Sequence, residues 1–345
     1  MNNFNFEMTA DGSVGLYDND VKDIYHSRTG AYTEAKEKFI QPIFNCKTLL
    51  NKANLNVLDI CYGVGYNSKA LTSILSGHNF NIDCLEINKT LIAISPLIKD
   101  GIENDILKLK LLCNVLNLYN SIEEYIKSVE NILNDKNNTY FNKNVLSVLN
   151  FLKKEGYISI PLKINLGFLH NIYYRYISNS TNNNLKCALN NDFCFNFYID
   201  DARKSIKTLN KQYDIVFYDG FSPQKDPTLW TIDFISQLKN KLHNDSIVLT
   251  YSKSTAIRKT FLSLGFYVGK TFINEIDMGS VFSLNKNFIT NPLTDYDLSL
   301  LNTTSGIPYR DKDFNLPPKQ IINDREIEQK NSNLVSHTQF LKNSN

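Results

Sequence analysis

The sequence is poor in metal-binding and cross-linking patterns. Its six cysteines, Cys46, Cys61, Cys84, Cys113, Cys187 and Cys194, are scattered. None forms a CxxC pair or sits beside histidine at metal-ligand spacing, so no metal site is expected. Cys61 and Cys84 fall within runs that read as core strands, where a free thiol behaves as a small hydrophobe. This suits a reducing cytoplasm better than a disulfide framework. No apolar run approaches membrane-spanning length, and Met1–Asp11 is polar and acidic without the apolar stretch of a signal peptide. A soluble cytoplasmic protein is therefore expected. Charge of one sign is missing as well: 37 Lys and Arg stand against 35 Asp and Glu, a net charge of +2 over 345 residues. Any nucleic-acid surface must then be a local patch. Internal repeats are also lacking.

What is present is a hydrophobic content of 42%, enough for a sizeable core. Residues 1–20 read as a polar lead-in. Ala35, Phe39 and Ile43 stand at helical spacing and predict a helix over 34–44. From residue 56 the pattern becomes alternating βα units: strands near 57–61 and 81–86, helices near 67–76 and 89–98. It breaks from about 99 to 192, where Leu and Ile recur at helical spacing amid Asn and Lys, which predicts a helical insertion. Sheet units resume with strands near 193–199, 213–219 and 246–252 and helices near 202–209, 228–240 and 254–264. Two closing strands, near 266–272 and 279–285, follow. The organisation expected is a lead-in and cap helix over 1–55, an α/β domain over 56–290 carrying the insertion, and a polar, proline-punctuated tail over 291–345 that ends in a helix. The alternation describes a doubly wound sheet.

The carboxyl ends of four strands carry the chemistry. In Val57-Leu58-Asp59-Ile60-Cys61-Tyr62-Gly63-Val64-Gly65-Tyr66-Asn67, Gly63 and Gly65 follow a strand and open a helix, where missing side chains let a ligand approach the backbone. An ordinary tight turn would look the same. Ser68 stands where a dinucleotide fingerprint wants its third glycine, which points away from a nicotinamide or flavin. Glu86 ends the next strand about twenty residues on, where a carboxylate can accept both hydroxyls of a ribose; a surface carboxylate is the alternative. Asp201 and Ala202 follow the strand over 193–199. A carboxylate there suits an adenine amino group, with the adjacent Asp200 as the alternative, and Asp201 could equally cap the helix that follows.

The fourth strand end is Tyr213-Asp214-Ile215-Val216-Phe217-Tyr218-Asp219, followed by Gly220-Phe221-Ser222-Pro223-Gln224-Lys225-Asp226-Pro227. Asp219 should project from the carboxyl end of the sheet, where open α/β folds bind ligands. A carboxylate there could orient an amine and take up the proton it sheds. A buried, hydrogen-bonded structural Asp is the alternative. Tyr173, Tyr174 and Tyr176 around Arg175 could stack on an extruded base or simply pack a helix. His26, Arg28, Lys36, Lys38, Arg258, Lys259 and Arg310 could contact phosphates or form a solvated face.

These blocks, in this order, resemble the methyltransferase half of bacterial MnmC, which completes 5-methylaminomethyl-2-thiouridine at the tRNA wobble position. The resemblance rests on Tyr25-His26-Ser27 with Gly30-Ala31 and Glu34, Gly63-Val64-Gly65-Tyr66-Asn67, Glu86, and Asp201-Ala202-Arg203. It continues through Asp219-Gly220-Phe221-Ser222-Pro223 with Lys225, Pro227 and Trp230, then Thr250-Tyr251-Ser252 with Arg258 and Gly265-Phe266. Gly306-Ile307-Pro308-Tyr309-Arg310-Asp311 looks like the tail of stand-alone family members. The resemblance implies a Rossmann-like class I methyltransferase fold with a seven-stranded, mostly parallel sheet. It also implies S-adenosylmethionine held by Gly63, Gly65, Asn67, Glu86, Asp201 and Ala202, with Tyr25 and Ser27 in a cap over the methyl donor. Asp219 would hold the acceptor nitrogen, and Phe221 and Pro223 would shape its pocket. The partner implied is a tRNA anticodon loop.

Three departures stand out. Cys61 replaces the first glycine of the usual motif. The segment Asn274-Glu275-Ile276-Asp277-Met278 is acidic where family members are often basic, which moves the expected tRNA surface elsewhere. The chain also has no room for the flavin oxidase of the larger fusions, so that step is either absent or done by a separate FAD-dependent partner. Two rivals remain at this stage: a methyltransferase or aminopropyltransferase acting on a small amine, and a non-catalytic S-adenosylmethionine- or RNA-binding module.

Overall fold

Strong β-formers and short Gly-Asn-Asp turns alternate with amphipathic segments along most of the chain, and the structure, a computed structural model, follows that rhythm. It describes residues 4–19, 22–25, 30–102, 104–133, 140–141, 150, 154 and 193–344. The strands are β1 Phe4–Met8, β2 Val14–Asp18, β3 Asp23–Ile24, β4 Asn54–Ile60, β5 Asn79–Leu85, β6 Phe193–Tyr198, β7 Tyr213–Tyr218, β8 Leu242–Thr250, β9 Tyr267–Ile273 and β10 Ile276–Ser283. The α-helices among the described residues are α1 Ala31–Glu34, α2 Lys47–Leu50, α3 Tyr66–Ile74, α4 Lys89–Ile94, α5 Asp105–Leu116 and α6 Ile122–Leu133, then α7 Ala202–Thr208, α8 Ile232–Lys239, α9 Thr255–Ser263, α10 Asp295–Leu301, α11 Pro318–Asn331 and α12 His337–Ser344.

Seven strands form one sheet in the order β6-β5-β4-β7-β8-β10-β9. The pairs β5 with β6, β4 with β7, and β7 with β8 are parallel, whereas β10 runs antiparallel to both β8 and β9. The sequence order reverses at β4, whose carboxyl end leads directly into Cys61–Gly65. Ligands of open α/β sheets bind at such reversals. The seven-stranded, mostly parallel, Rossmann-like fold expected from the sequence is thus present.

The chain divides into two compact units, residues 1–36 with 62–199 and residues 37–61 with 200–345. The first holds a surprise. The lead-in is not unstructured: β1 and β2 pair antiparallel from Phe4 opposite Asp18 to Met8 opposite Val14, and β3 adds to β2. Val14 and Leu16 are fully buried, so this ribbon is part of a core. Asp11 in its turn accepts from the backbone and hydroxyl of Ser13, from Thr9 Oγ1 and from the backbone of Thr33. Burial alone would raise its pKa, but these bonds hold it well below the ordinary carboxylate range.

In the second unit every residue of β7 is buried. Such a run fits a strand covered on both faces. Its Asp214 is satisfied by Lys52 Nζ, the Asn56 backbone and His243 Nε2. Phe261 and Phe282 stack at 3.7 Å, and Tyr218, Trp230 and Phe234 are all fully buried beside this aromatic core. Each such side chain contributes about 1.5–3 kcal/mol by leaving water. The helix predicted over 34–44 is present as α1 followed by a widened turn over Ala35–Ile40 and a tight 3-10 turn over Gln41–Asn45, where Pro42 removes a backbone donor.

Candidate functional site

The turn after β4 has an unusual backbone. Cys61, Gly63 and Gly65 have φ of 65°, 57° and 77°, all left-handed. Cys61 therefore keeps the conformation that glycine would adopt most cheaply, at a cost of roughly 1–2 kcal/mol. Gly65 cannot be anything else: an added Cβ would lie 2.2 Å from the Tyr62 ring and hydroxyl. Tyr62 is held in turn by Ser95 Oγ at 2.8 Å, and that hydroxyl also reaches Val64 O at 2.7 Å. Behind Ser95 lies Lys69, fully buried, 3.2 Å from Ser95 O and 2.8 Å from Asp100. Lys108 of α5 adds a second cation at 3.1 Å from Asp100. Burial works to raise the pKa of Asp100, but Lys69 and Lys108 prevail and hold it low. Sequence reading missed Tyr62, Ser95, Lys69 and Asp100. The one signal was a lysine in the otherwise uncharged α3 segment Tyr66–Ile74.

The structure brings Gly63 and Glu86 together. The Gly63 N–H donates to Glu86 Oε2 at 2.8 Å, and the Asn88 N–H donates to Oε1 at 2.9 Å. Glu86 is buried, which pushes its carboxyl above the ordinary 4.5 even against those donors. Next to it the apolar Ile87 is 71% exposed. Asn67 is buried in the first turn of α3. Tyr25 is half-buried, and its hydroxyl lies 3.4 Å from Asp18. Ser27, His26, Arg28, Tyr173, Tyr174, Arg175, Tyr176 and Cys187 lie outside the described residues.

In the second unit Asp201 caps α7, accepting from the Arg203 backbone at 2.8 Å, with Ala202 as the first helical residue. The Arg203 guanidinium also grips the Asp201 carboxylate through Nε and Nη2. Burial tends to raise Asp201, but Arg203 outweighs it and keeps the group ionised.

Asp219 is half-buried at the end of β7, with its N–H on Ile60 O at 3.2 Å. The loop after it is clamped from both sides. Trp230 Nε1 donates to Phe221 O at 2.7 Å, the Tyr251 hydroxyl donates to Gly220 O at 2.8 Å, and the Tyr218 hydroxyl donates to Leu229 O. Tyr218 and Trp230 stack at 4.5 Å. Lys225 and Asp226 N–H groups close a turn on Ser222 O, while Asp226 caps Thr228. Phe221 stays half-buried and Pro223 is buried. Bonds to the main-chain carbonyls thus help to fix the loop.

Two of the basic residues expected at a phosphate surface have other roles. Arg258 is buried, with Nη2 2.9 Å from Asp277 Oδ2 and Nε on Ser280 Oγ at 2.8 Å. This explains the acidic segment over 274–278: its Asp277 neutralises a buried arginine. Arg310 pairs with Glu328. Among the described residues no group of His, Cys, Asp and Glu could hold a metal ion, and no helix is long and apolar enough to cross a membrane.

A family of S-adenosyl-L-methionine-dependent methyltransferases matches residues 166–273. That segment, under a third of the chain, is thus similar to methyltransferases whose methyl donor is S-adenosylmethionine. An uncharacterized protein of Methanocaldococcus jannaschii is 28% identical over 320 residues, 92% of this chain and 70% of that protein. The bifunctional tRNA 5-methylaminomethyl-2-thiouridine biosynthesis protein MnmC of Pseudomonas putida is 31% identical over 72 residues, 21% of this chain and 11% of that protein. MnmC of Campylobacter hominis is 35% identical over 71 residues, again 21% and 11%. The crystal structure of MnmC2 from Aquifex aeolicus superposes with a TM-score of 0.62 at 23% identity, covering 96% of this chain and 86% of that one. In fold the chain is similar to that MnmC2.

Groups of the kinds that S-adenosylmethionine would need are present in each unit. In the first unit the left-handed glycine turn opens a helix, Glu86 places a carboxylate at the strand end and Ile87 is an exposed apolar side chain; in the second, Asp201 keeps acceptor capacity beside α7.

Proposed function

We propose that this protein methylates the aminomethyl nitrogen of 5-aminomethyl(-2-thio)uridine at the tRNA wobble position, giving 5-methylaminomethyl(-2-thio)uridine. The names of the MnmC relatives and the block Asp219-Gly220-Phe221-Ser222-Pro223 support this substrate. The observation that carries it is Asp219 at the end of a fully buried strand, followed by a loop whose carbonyls are fixed by Trp230 and Tyr251.

Gly63, Gly65, Asn67, Glu86, Asp201 and Ala202 are assigned to S-adenosylmethionine, with Tyr25 and Ser27 in the cap over it. When bound, it supplies an electrophilic methyl group on a sulfonium. Glu86 accepts the ribose hydroxyls and Asp201 the adenine amino group. Asp219 accepts a hydrogen bond from the neutral amine, aims its lone pair at the methyl carbon, and receives the proton shed as the N–C bond forms and the C–S bond breaks. Positioning supplies most of the rate in such a displacement, and Phe221 with Pro223 shapes the acceptor pocket. The wobble base lies in a single-stranded loop, so turning it out breaks no base pair. Function in the cytoplasm, and a separate oxidase that prepares the aminomethyl group, complete the reading.

The test is to incubate the protein with methyl-labelled donor and tRNA from a strain blocked at the aminomethyl stage, then digest the tRNA and identify the labelled nucleoside. Label in 5-methylaminomethyl-2-thiouridine is the expected result. Label in added polyamines but none in tRNA would assign a small-amine substrate instead.

A further inference from the structure

The tail block Ile307-Pro308-Tyr309-Arg310-Asp311 is bound into the second unit far more tightly than a surface tail requires. Tyr309 O accepts from the Ile232 backbone at the start of α8, and the Asp311 N–H donates to Asp233 Oδ2 at 2.7 Å. The Asp311 side chain is fully buried, and its Oδ1 accepts from the backbones of Asn315 and Leu316, both at 3.1 Å. Its Oδ2 takes Arg203 Nη1 at 2.9 Å, and Nη1 also donates to Leu316 O at 2.9 Å. The other side of the same guanidinium holds Asp201: Nε lies 3.0 Å and Nη2 2.7 Å from Oδ2. The tail, one arginine and the cap of α7 therefore form a single chain of charge-assisted bonds.

An Asp–Arg pair two residues apart on a surface is worth little, because the arginine can swing into water. Here it cannot. Asp311 and Leu316 O take the Nη1 protons, so the planar fork has one orientation, and that orientation fixes the Asp201 carboxylate. A carboxylate has about four acceptor positions. The Arg203 backbone N–H, Nε and Nη2 occupy three of them, and the Asp201 side chain keeps 26% exposure. Capacity for about one further donor remains, with a fixed direction.

We propose that Asp311, acting through Arg203, is a positioning residue that aims Asp201 at the base of the methyl donor and so sets the preference for adenine. This rests on the assignment of Asp201 to the adenine amino group. An ionised carboxylate only accepts hydrogen bonds: it rewards the 6-amino group of adenine and opposes the 6-carbonyl of hypoxanthine, which also only accepts. Discrimination is lost when the carboxylate is free to turn away.

The experiment compares dissociation constants for S-adenosyl-L-homocysteine and S-inosyl-L-homocysteine by calorimetry. The unsubstituted protein is expected to prefer the adenine compound by on the order of tenfold to a hundredfold, the usual penalty for a buried polar group left unpaired. Asp311→Asn keeps the shape of the side chain and removes its charge; the preference should fall at least fivefold. If Asp311→Asn does not fold, Arg203→Lys, which keeps the charge and breaks the fork, should give the same loss. Lys207→Met removes a different contact to this turn, a cation 4.2 Å over the Phe314 ring, and should leave the preference intact. A fall in thermal midpoint with unchanged preference in Asp311→Asn or Arg203→Lys would overturn the proposal, as would an equal loss in Lys207→Met. No preference in the unsubstituted protein would remove Asp201 from the adenine. No binding of either compound would instead sink the assignment of the donor site.

Discussion

The turn after β4 and the loop after β7 follow strands that pair in parallel, with Ile60 beside Tyr218, yet they are fixed by opposite means. The turn is fixed through its backbone: three left-handed residues, an N–H spent on Glu86, and a carbonyl held by Ser95. The loop is fixed through its carbonyls by Trp230 and Tyr251, which leaves Asp219 and Phe221 half-buried. A surface that must lie close to a ligand backbone-first tolerates no side chains. A surface that must present a carboxylate and a ring can be held in place through its main chain. The difference matches the roles proposed for them, donor on one hand and acceptor on the other.

That contrast can be broken by substitution. Gly65→Ala should have the largest effect, because it adds a Cβ at 2.2 Å from Tyr62 to a residue at φ 77°. Left-handed strain alone costs about 1–3 kcal/mol, and the overlap adds to it. Denaturant unfolding should show a loss of about 3 kcal/mol or more, together with weakened S-adenosylhomocysteine binding; full retention of both would mean that the turn is pliable. Trp230→Phe removes one hydrogen bond from the loop and keeps most of the ring. It should cost about 1 kcal/mol and raise the KM for tRNA while leaving the affinity for S-adenosylhomocysteine unchanged. An effect on cofactor affinity alone would reverse the assignment of the two regions.

The smallest effect concerns pH. Burial raises Glu86 above the ordinary 4.5, so its ionised form costs the folded protein stability: the cost is absent below 4.5 and complete above the raised value. Ribose hydroxyls donate to the ionised form. Affinity for S-adenosylhomocysteine should therefore weaken as pH falls through that raised value, before ordinary carboxylates titrate. Glu86→Gln should bind more weakly at neutral pH and lose this pH dependence. A pH profile identical in Glu86→Gln would place the titrating group elsewhere.

Much of the fold was legible because its signals are local. Val57–Ile60 and Ile215–Tyr218 read as strands from composition, and Gly63, Glu86, Asp201 and Asp219 stand where such strands end. What stayed hidden depends on partners remote in sequence. The ribbon β1–β2 alternates only over five residues per strand, too short to stand out among Asn and Asp, and its burial is supplied by other elements. Arg258 read as surface charge because Asp277 and Ser280, which neutralise and cap it, lie on a strand about twenty residues away. Cys61 read as a departure from the glycine motif, although its backbone keeps the motif's conformation at φ 65°. The Lys69–Asp100–Lys108 cluster needs three segments to meet, which no spacing encodes.

The most direct measurement is methyl transfer to aminomethyl-stage tRNA by Asp219→Ala, run beside calorimetric binding of S-adenosylhomocysteine on the same preparation. With Asp219 holding the acceptor amine, transfer should fall by on the order of a hundredfold to ten-thousandfold, while the dissociation constant stays within about twofold, a change of roughly 0.4 kcal/mol. Transfer at the unsubstituted rate, or loss of cofactor binding in step with transfer, would contradict that role.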